Sequence, residues 1–298
     1  MYVSKISKAN AFALGLVINM ILYKFYGGAF AAVFGANSLS NLVITNLIVY
    51  GVPVIVYFML CSDKPKDILK LNNPGIKNIL LISAISFFIQ PVLMLISALS
   101  TLVFEAKTVD YISTFKALPL YYTLLSTAFF PALTEEIAFR GVVFSNLKEK
   151  SLLKACVFSG LLFGMAHLNG EQFFYAFFMG IIFCYFVQRT GSVISSILSH
   201  FIINGTQTIM TLYMINSGNY DETMQQTAST FADLLPSIKL AALSLLPLVL
   251  LFFLFETSYR KNNQYNTNSD YTSDSNETLL KPAFFFFAAI FAFYTLFT

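Results

Sequence analysis

Charge is what this sequence has least of. Asp, Glu, Lys and Arg make up 11% of its 298 residues, against about 25% in a typical soluble domain. Hydrophobic types reach 57% and mean hydropathy is +0.70. A water-soluble fold of this length cannot hide so much apolar surface in one core, and a disordered chain would not contain it. A polytopic membrane protein remains. The net charge of +3 is small and the bases are scattered between apolar runs, which excludes a nucleic-acid footprint. Cysteine is scarce too. Cys61, Cys156 and Cys184 lie in or at the ends of apolar runs with no CxxC, so neither a disulfide framework nor a structural zinc site is expected, and the three read as small apolar fillers. No internal repeat is visible, against an inverted-repeat transporter. No run alternates like a barrel strand, and no cleavable signal peptide is expected.

What is present is a series of long apolar runs. A spanning helix needs roughly 20 of them in a row, and nine candidates occur: 11–34, 39–61, 78–104, 117–147, 152–168, 171–187, 191–213, 236–256 and 282–298. The expected fold is an all-α polytopic membrane protein of eight or nine transmembrane helices, since the last run is short and could lie in the interface. The fourth holds Pro131 and is expected to be broken or tilted. Segment 257–281, rich in Asn, Ser, Thr and Asp, reads as a flexible cytoplasmic linker.

Basic residues favour cytoplasmic loops. With the N-terminus inside, thirteen of them (Lys5, Lys8, Lys64, Lys66, Lys70, Lys77, Lys148, Lys150, Lys154, Arg189, Arg260, Lys261 and Lys281) fall on the inner side and two, Lys107 and Lys116, on the outer. A multi-pass protein with a cytoplasmic N-terminus follows.

Ionisable side chains inside a bilayer are expensive and ask for a reason. Five stand out in the apolar runs: Glu135, Glu136, Arg140, His167 and His200, the last two being the only histidines of the chain. Asn204 lies one helical turn beyond His200. Counted inward from the nearest base at ~1.5 Å per residue, Glu135 and His167 are ~19 Å deep, His200 ~16 Å and Asn204 ~22 Å. Three runs thus place polar groups at one level, as a single buried site would. Glu136 and Arg140, at i and i+4, share a helix face and can pair as structural support, which leaves Glu135, rotated by about 100°, free for chemistry. A structural ion network and interhelical hydrogen bonds are the plainer alternatives for the same residues.

A carboxylate, two imidazoles and an amide in a dry pocket suit activation of water against a carbonyl. Glu135 would be the general base, His167 would orient the water, and His200 with Asn204 would donate to an oxyanion. Ser199 adjoins His200 but diverges from it on a helix, so a serine–histidine pair is not expected. Two histidines and a glutamate could instead hold zinc, although HExxH is absent. The cofactor expectation is therefore none or zinc. Substrate is expected to enter laterally or from the cytoplasmic side.

At these residues the sequence resembles the CPBP family of intramembrane proteases (CAAX proteases and bacteriocin-processing enzymes, also called Abi). Its motifs EExxxR, FxxxH and HxxxN read here as Glu135, Glu136 and Arg140, then Phe163 and His167, then His200 and Asn204. The resemblance covers about 117–210 and implies a core of 117–213, with N-terminal helices over 1–116 and a C-terminal helix, linker and short apolar helix over 214–298. It implies an intramembrane endopeptidase in which Glu135 and His167 activate water and His200 and Asn204 hold the oxyanion. It further implies a membrane-associated peptide or protein as substrate, the lipid bilayer as partner and, from family distribution, a bacterial plasma membrane. A scaffold or bacteriocin-immunity role without proteolysis stays open, as does a proton-coupled transporter.

Overall fold

The computed structural model describes residues 3–33, 43–104, 118–148, 150–217, 231–262 and 276–297. Helices dominate it, because in lipid only intra-segment hydrogen bonding satisfies every backbone group of a lone span. In chain order they are α1 (Lys5–Val33), α2 (Val43–Leu60), the short α3 (Pro65–Leu69), α4 (Ile76–Ser100), α5 (120–145), α6 (Leu152–Ala166), α7 (Gly170–Thr190), α8 (Val193–Asn216), α9 (Leu235–Asn262) and α10 (Pro282–Phe297). Nine of the ten coincide with the nine apolar runs. Five contain stretches long and apolar enough to cross a membrane, within α1, α2, α4, α7 and α9. The sequence-based linker begins too early: α9 continues to Asn262, while 263–275 lies outside the described residues.

Pro53 and Pro131 do not break their helices, because wider turns absorb them. The π-helical segment Leu47–Gly51 precedes Pro53, and Leu125–Phe129 precedes Pro131. Each places the missing N–H at the start of a fresh α-segment, where it is tolerated. The fourth run is thus one continuous helix, not a broken one. A third π-segment, Ile137–Val143, directly follows the two glutamates. Asn19 of α1 serves the first one, its amide donating to the carbonyls of Ile48 and Val49.

One end of the bundle carries the bases and is tied together by polar contacts. The Lys8 ammonium is 2.8 Å from Asp63, which also accepts from the Tyr57 hydroxyl at 2.6 Å. Asn72 donates to the Gly191 carbonyl and Val193 to that of Lys70. Arg189 pairs with Glu256 at 3.0 Å, and Lys281 with Glu277. This is the basic end.

The core sits where α6 and α7 meet. Gly160 and Gly164, spaced GxxxG on α6, let the backbones close up: a Cβ on Gly180 of α7 would stand 2.7 Å from the Gly160 Cα. The space left there is taken by Arg140 of α5, among the largest fully buried side chains. Its guanidinium carbon lies 4.2 Å from the Phe163 ring centroid and 5.1 Å from that of Phe183, and its Nε is 3.1 Å from Glu136 Oε2. The pair is at ion-pair distance without hydrogen-bond alignment, so two aromatic faces share in holding the cation.

Arg140→Ala strands Glu136 in the core and is expected to lower stability by about 3–5 kcal/mol. An unchanged melting temperature and yield in detergent would contradict this. Arg140→Lys keeps the charge without the planar stacking face, and should fall between the two. At the basic end, burial pushes the Asp63 carboxyl up, but the Lys8 and Tyr57 contacts outweigh it and hold the group below the usual carboxylate range. A carboxyl depressed in the folded state adds stability above its unfolded value of about 3.9, lost as pH falls through the lower folded value. Melting curves below about pH 4 should therefore be flatter against pH in Asp63→Asn than in the parent chain.

Candidate active site

Three helices bring the polar groups together. Glu135 is the last cavity-facing residue of α5 before the π-segment, and its neighbour Glu136 turns fully into the protein. The split expected from a 100° rotation is what the structure has: one carboxylate lines a cavity, the other meets Arg140.

His167 closes α6. Its Nδ1 is 2.9 Å from the Phe163 carbonyl. A carbonyl can only accept, so Nδ1 carries the hydrogen, and in the neutral ring Nε2 presents its lone pair. The turn after it is tight: Leu168 adopts φ 51°, a left-handed conformation disfavoured for a side chain with a Cβ. Asn169 then caps α7 by accepting from the Glu171 N–H at 2.9 Å.

His200 lies on α8. Its Nδ1 is 3.0 Å from Glu136 Oε1, and its Nε2 is 3.1 Å from the Asn204 amide nitrogen. The carboxylate accepts, so Nδ1 is the donor, and Nε2 of the neutral ring accepts from Asn204. That amide also reaches the Thr127 carbonyl at 3.4 Å. Glu136 therefore does two things, countering Arg140 with one oxygen and orienting His200 with the other. The sequence reading gave it only the first. Phe163 joins the parts: its ring meets His167 edge-on at 5.0 Å and His200 at 6.1 Å, besides carrying Arg140. Ser199 turns away and hydrogen-bonds Ser86 at 2.6 Å.

Glu135, His167, His200 and Asn204 all line one cavity of about 910 Å³. Residues from outside the three motifs complete it. Tyr50 of α2 and Tyr175 of α7 line it together with Glu135. Neither tyrosine was legible beforehand, since a tyrosine in an apolar run is ordinary.

The donors do not fit a zinc site as arranged. Zinc needs three protein ligands. Both nitrogens of His200 are engaged, and among the described residues no group of three His, Cys, Asp or Glu could hold a metal.

The cavity also has a direction. Its lining comes from the second half of α1, the start of α2, the turn after α4, the part of α5 from Ser126 to Glu135, the end of α6 with the Leu168 turn, the first half of α7, α8 from His200 to Thr208 and the end of α10. These parts lie away from the basic end. Entry from the basic end does not match this lining.

No curated protein and no solved structure matches the chain. Residues 117–206, which hold all three motifs, match the family model described as "Type II CAAX prenyl endopeptidase Rce1-like". That segment is thus similar to CAAX-protease cores, consistent with the CPBP intramembrane proteases that the motifs resemble.

Proposed function

We propose that the chain is an intramembrane endopeptidase that hydrolyses a peptide bond of a membrane-associated peptide or protein in a bacterial plasma membrane. The observation that carries the reading is the convergence of Glu135, His167, His200 and Asn204 on one cavity. Glu135 is the general base. It takes a proton from a water held between its carboxylate and the His167 Nε2 lone pair, and the new hydroxide oxygen bonds the scissile carbonyl carbon. The carbonyl oxygen becomes an oxyanion, and His200 and Asn204 are the groups that receive it. Asn204 supports it by turning an N–H from His200 or Thr127 to the oxyanion. His200 supports it once Nε2 has released the Asn204 amide and taken up a proton from solvent, Glu136 then balancing the charge. When the intermediate collapses the C–N bond breaks, and the proton on Glu135 goes to the leaving amine. The basic end faces the cytoplasm in this reading, on the strength of the thirteen-to-two distribution of bases.

Glu135→Gln keeps the shape of the site and removes the base. It should retain abundance and peptide binding while turnover falls by orders of magnitude. His200→Ala should lower turnover by roughly 10²–10³ if one oxyanion donor is lost. Purified protein with a cleavable peptide, before and after chelator treatment, is expected to show no loss on chelation. Loss restored by zinc would replace the glutamate mechanism. Full output from Glu135→Gln would put a non-proteolytic membrane regulator in front.

A further inference from the structure

We infer that the water-lined route into this site opens on the side of the membrane opposite the basic end, so that the substrate is a peptide segment presented from the non-cytoplasmic side. The inference rests on the proposed protease reading for the word substrate, and on the charge distribution for the side.

Two independent observations carry it. The first is the distribution of the lining. Toward the basic end the cavity stops at Phe163, Met179 and His200, and Phe163 is nine residues, or ~13 Å of helix, from Lys154. Toward the other end it continues past Glu135 to Lys24, Gln207 and Tyr294. Its walls change character on the way. Ser126, Thr127, Gln207 and Thr208 supply hydroxyls and amides along one side. An extended backbone inside a bilayer needs such groups, because no water from the hydrocarbon will satisfy it.

The second observation is what lies beneath the floor. On the basic side of the two histidines, Arg140 fills the space between Phe163 and Phe183, all three essentially sealed from solvent. The Gly160 and Gly180 backbones meet against this plug. A peptide approaching from the basic end would have to displace a buried cation together with the carboxylate and the two aromatic rings that hold it. From the other end it meets a polar cavity already formed.

The closing experiment reads accessibility and does not depend on activity, so its failure is separable from failure of the protease reading. Gln207→Cys at the far end of the cavity and Lys77→Cys at the basic end are each made in the full-length chain. Intact cells are treated with a membrane-impermeant maleimide, before and after permeabilisation, and labelling is read as a gel shift against the parent chain with its native cysteines. Gln207→Cys should label in intact cells as fully as after permeabilisation, and Lys77→Cys only after it. The opposite pattern would overturn the inference by reversing the orientation. The same reagent applied to detergent-purified protein reports whether the Gln207→Cys thiol can react at all. Labelling there with none in cells, intact or permeabilised, would overturn it by showing no open route in the membrane. If that variant does not accumulate, Thr45→Cys, on the α2 wall of the same cavity, is read by the same criteria.

Discussion

The rest of this structure depends on the burial of one guanidinium. A charge with no water must be surrounded on every side, and the surroundings of Arg140 are drawn from three helices: Glu136 from its own, Phe163 from α6 and Phe183 from α7. None of the three can move without exposing the others to an uncompensated cation. Each in turn holds one of the candidate site's imidazoles. Glu136 grips His200, Phe163 precedes His167 by one turn and offers it a carbonyl, and Phe183 stacks on the His200 ring at 5.3 Å. The ion pair is better understood as the hub that sets the positions of both imidazoles than as a source of net stability, which buried pairs seldom provide.

The division of labour between adjacent glutamates follows from the same geometry. Consecutive helical positions point apart, so one carboxylate can be wholly sequestered while its neighbour stays in a wet cavity. The π-segment beginning at Ile137 sits where the two environments must be reconciled. Such wide turns recur at functional sites because they shift side-chain register without breaking the helix.

Much of this was legible in the sequence, for reasons that can be named. The helices were visible because lipid demands long apolar runs. The site was visible because a carboxylate or imidazole in such a run has few reasons to be there, and helical rise alone put Glu135, His167, His200 and Asn204 at one level. Tertiary facts were not visible. Nothing in the spacing of Glu136 says that its second oxygen faces His200 across 64 residues, and nothing local marks Tyr50 as a neighbour of Glu135. Depth also has no direction when it is counted from one side only. The count from the bases was sound as a distance, but the route of entry depends on where the polar walls run. That depends on how α1, α2, α4 and α10 pack around the core. The helices themselves were easier to read than the start of the linker, because a helix such as α9 continues past its apolar run for as long as its backbone bonds are favourable.

The last helix lends this arrangement a further meaning. Tyr294 and Thr295 of α10 line the cavity, although they lie nearly ninety positions beyond the matched segment 117–206. α10 packs on α1 and α6, so it forms part of the chamber wall. A chain cut short before α10 would keep every motif by which such enzymes are found, while its chamber stood open along one flank to lipid. Motif integrity and chamber integrity are thus separate properties here.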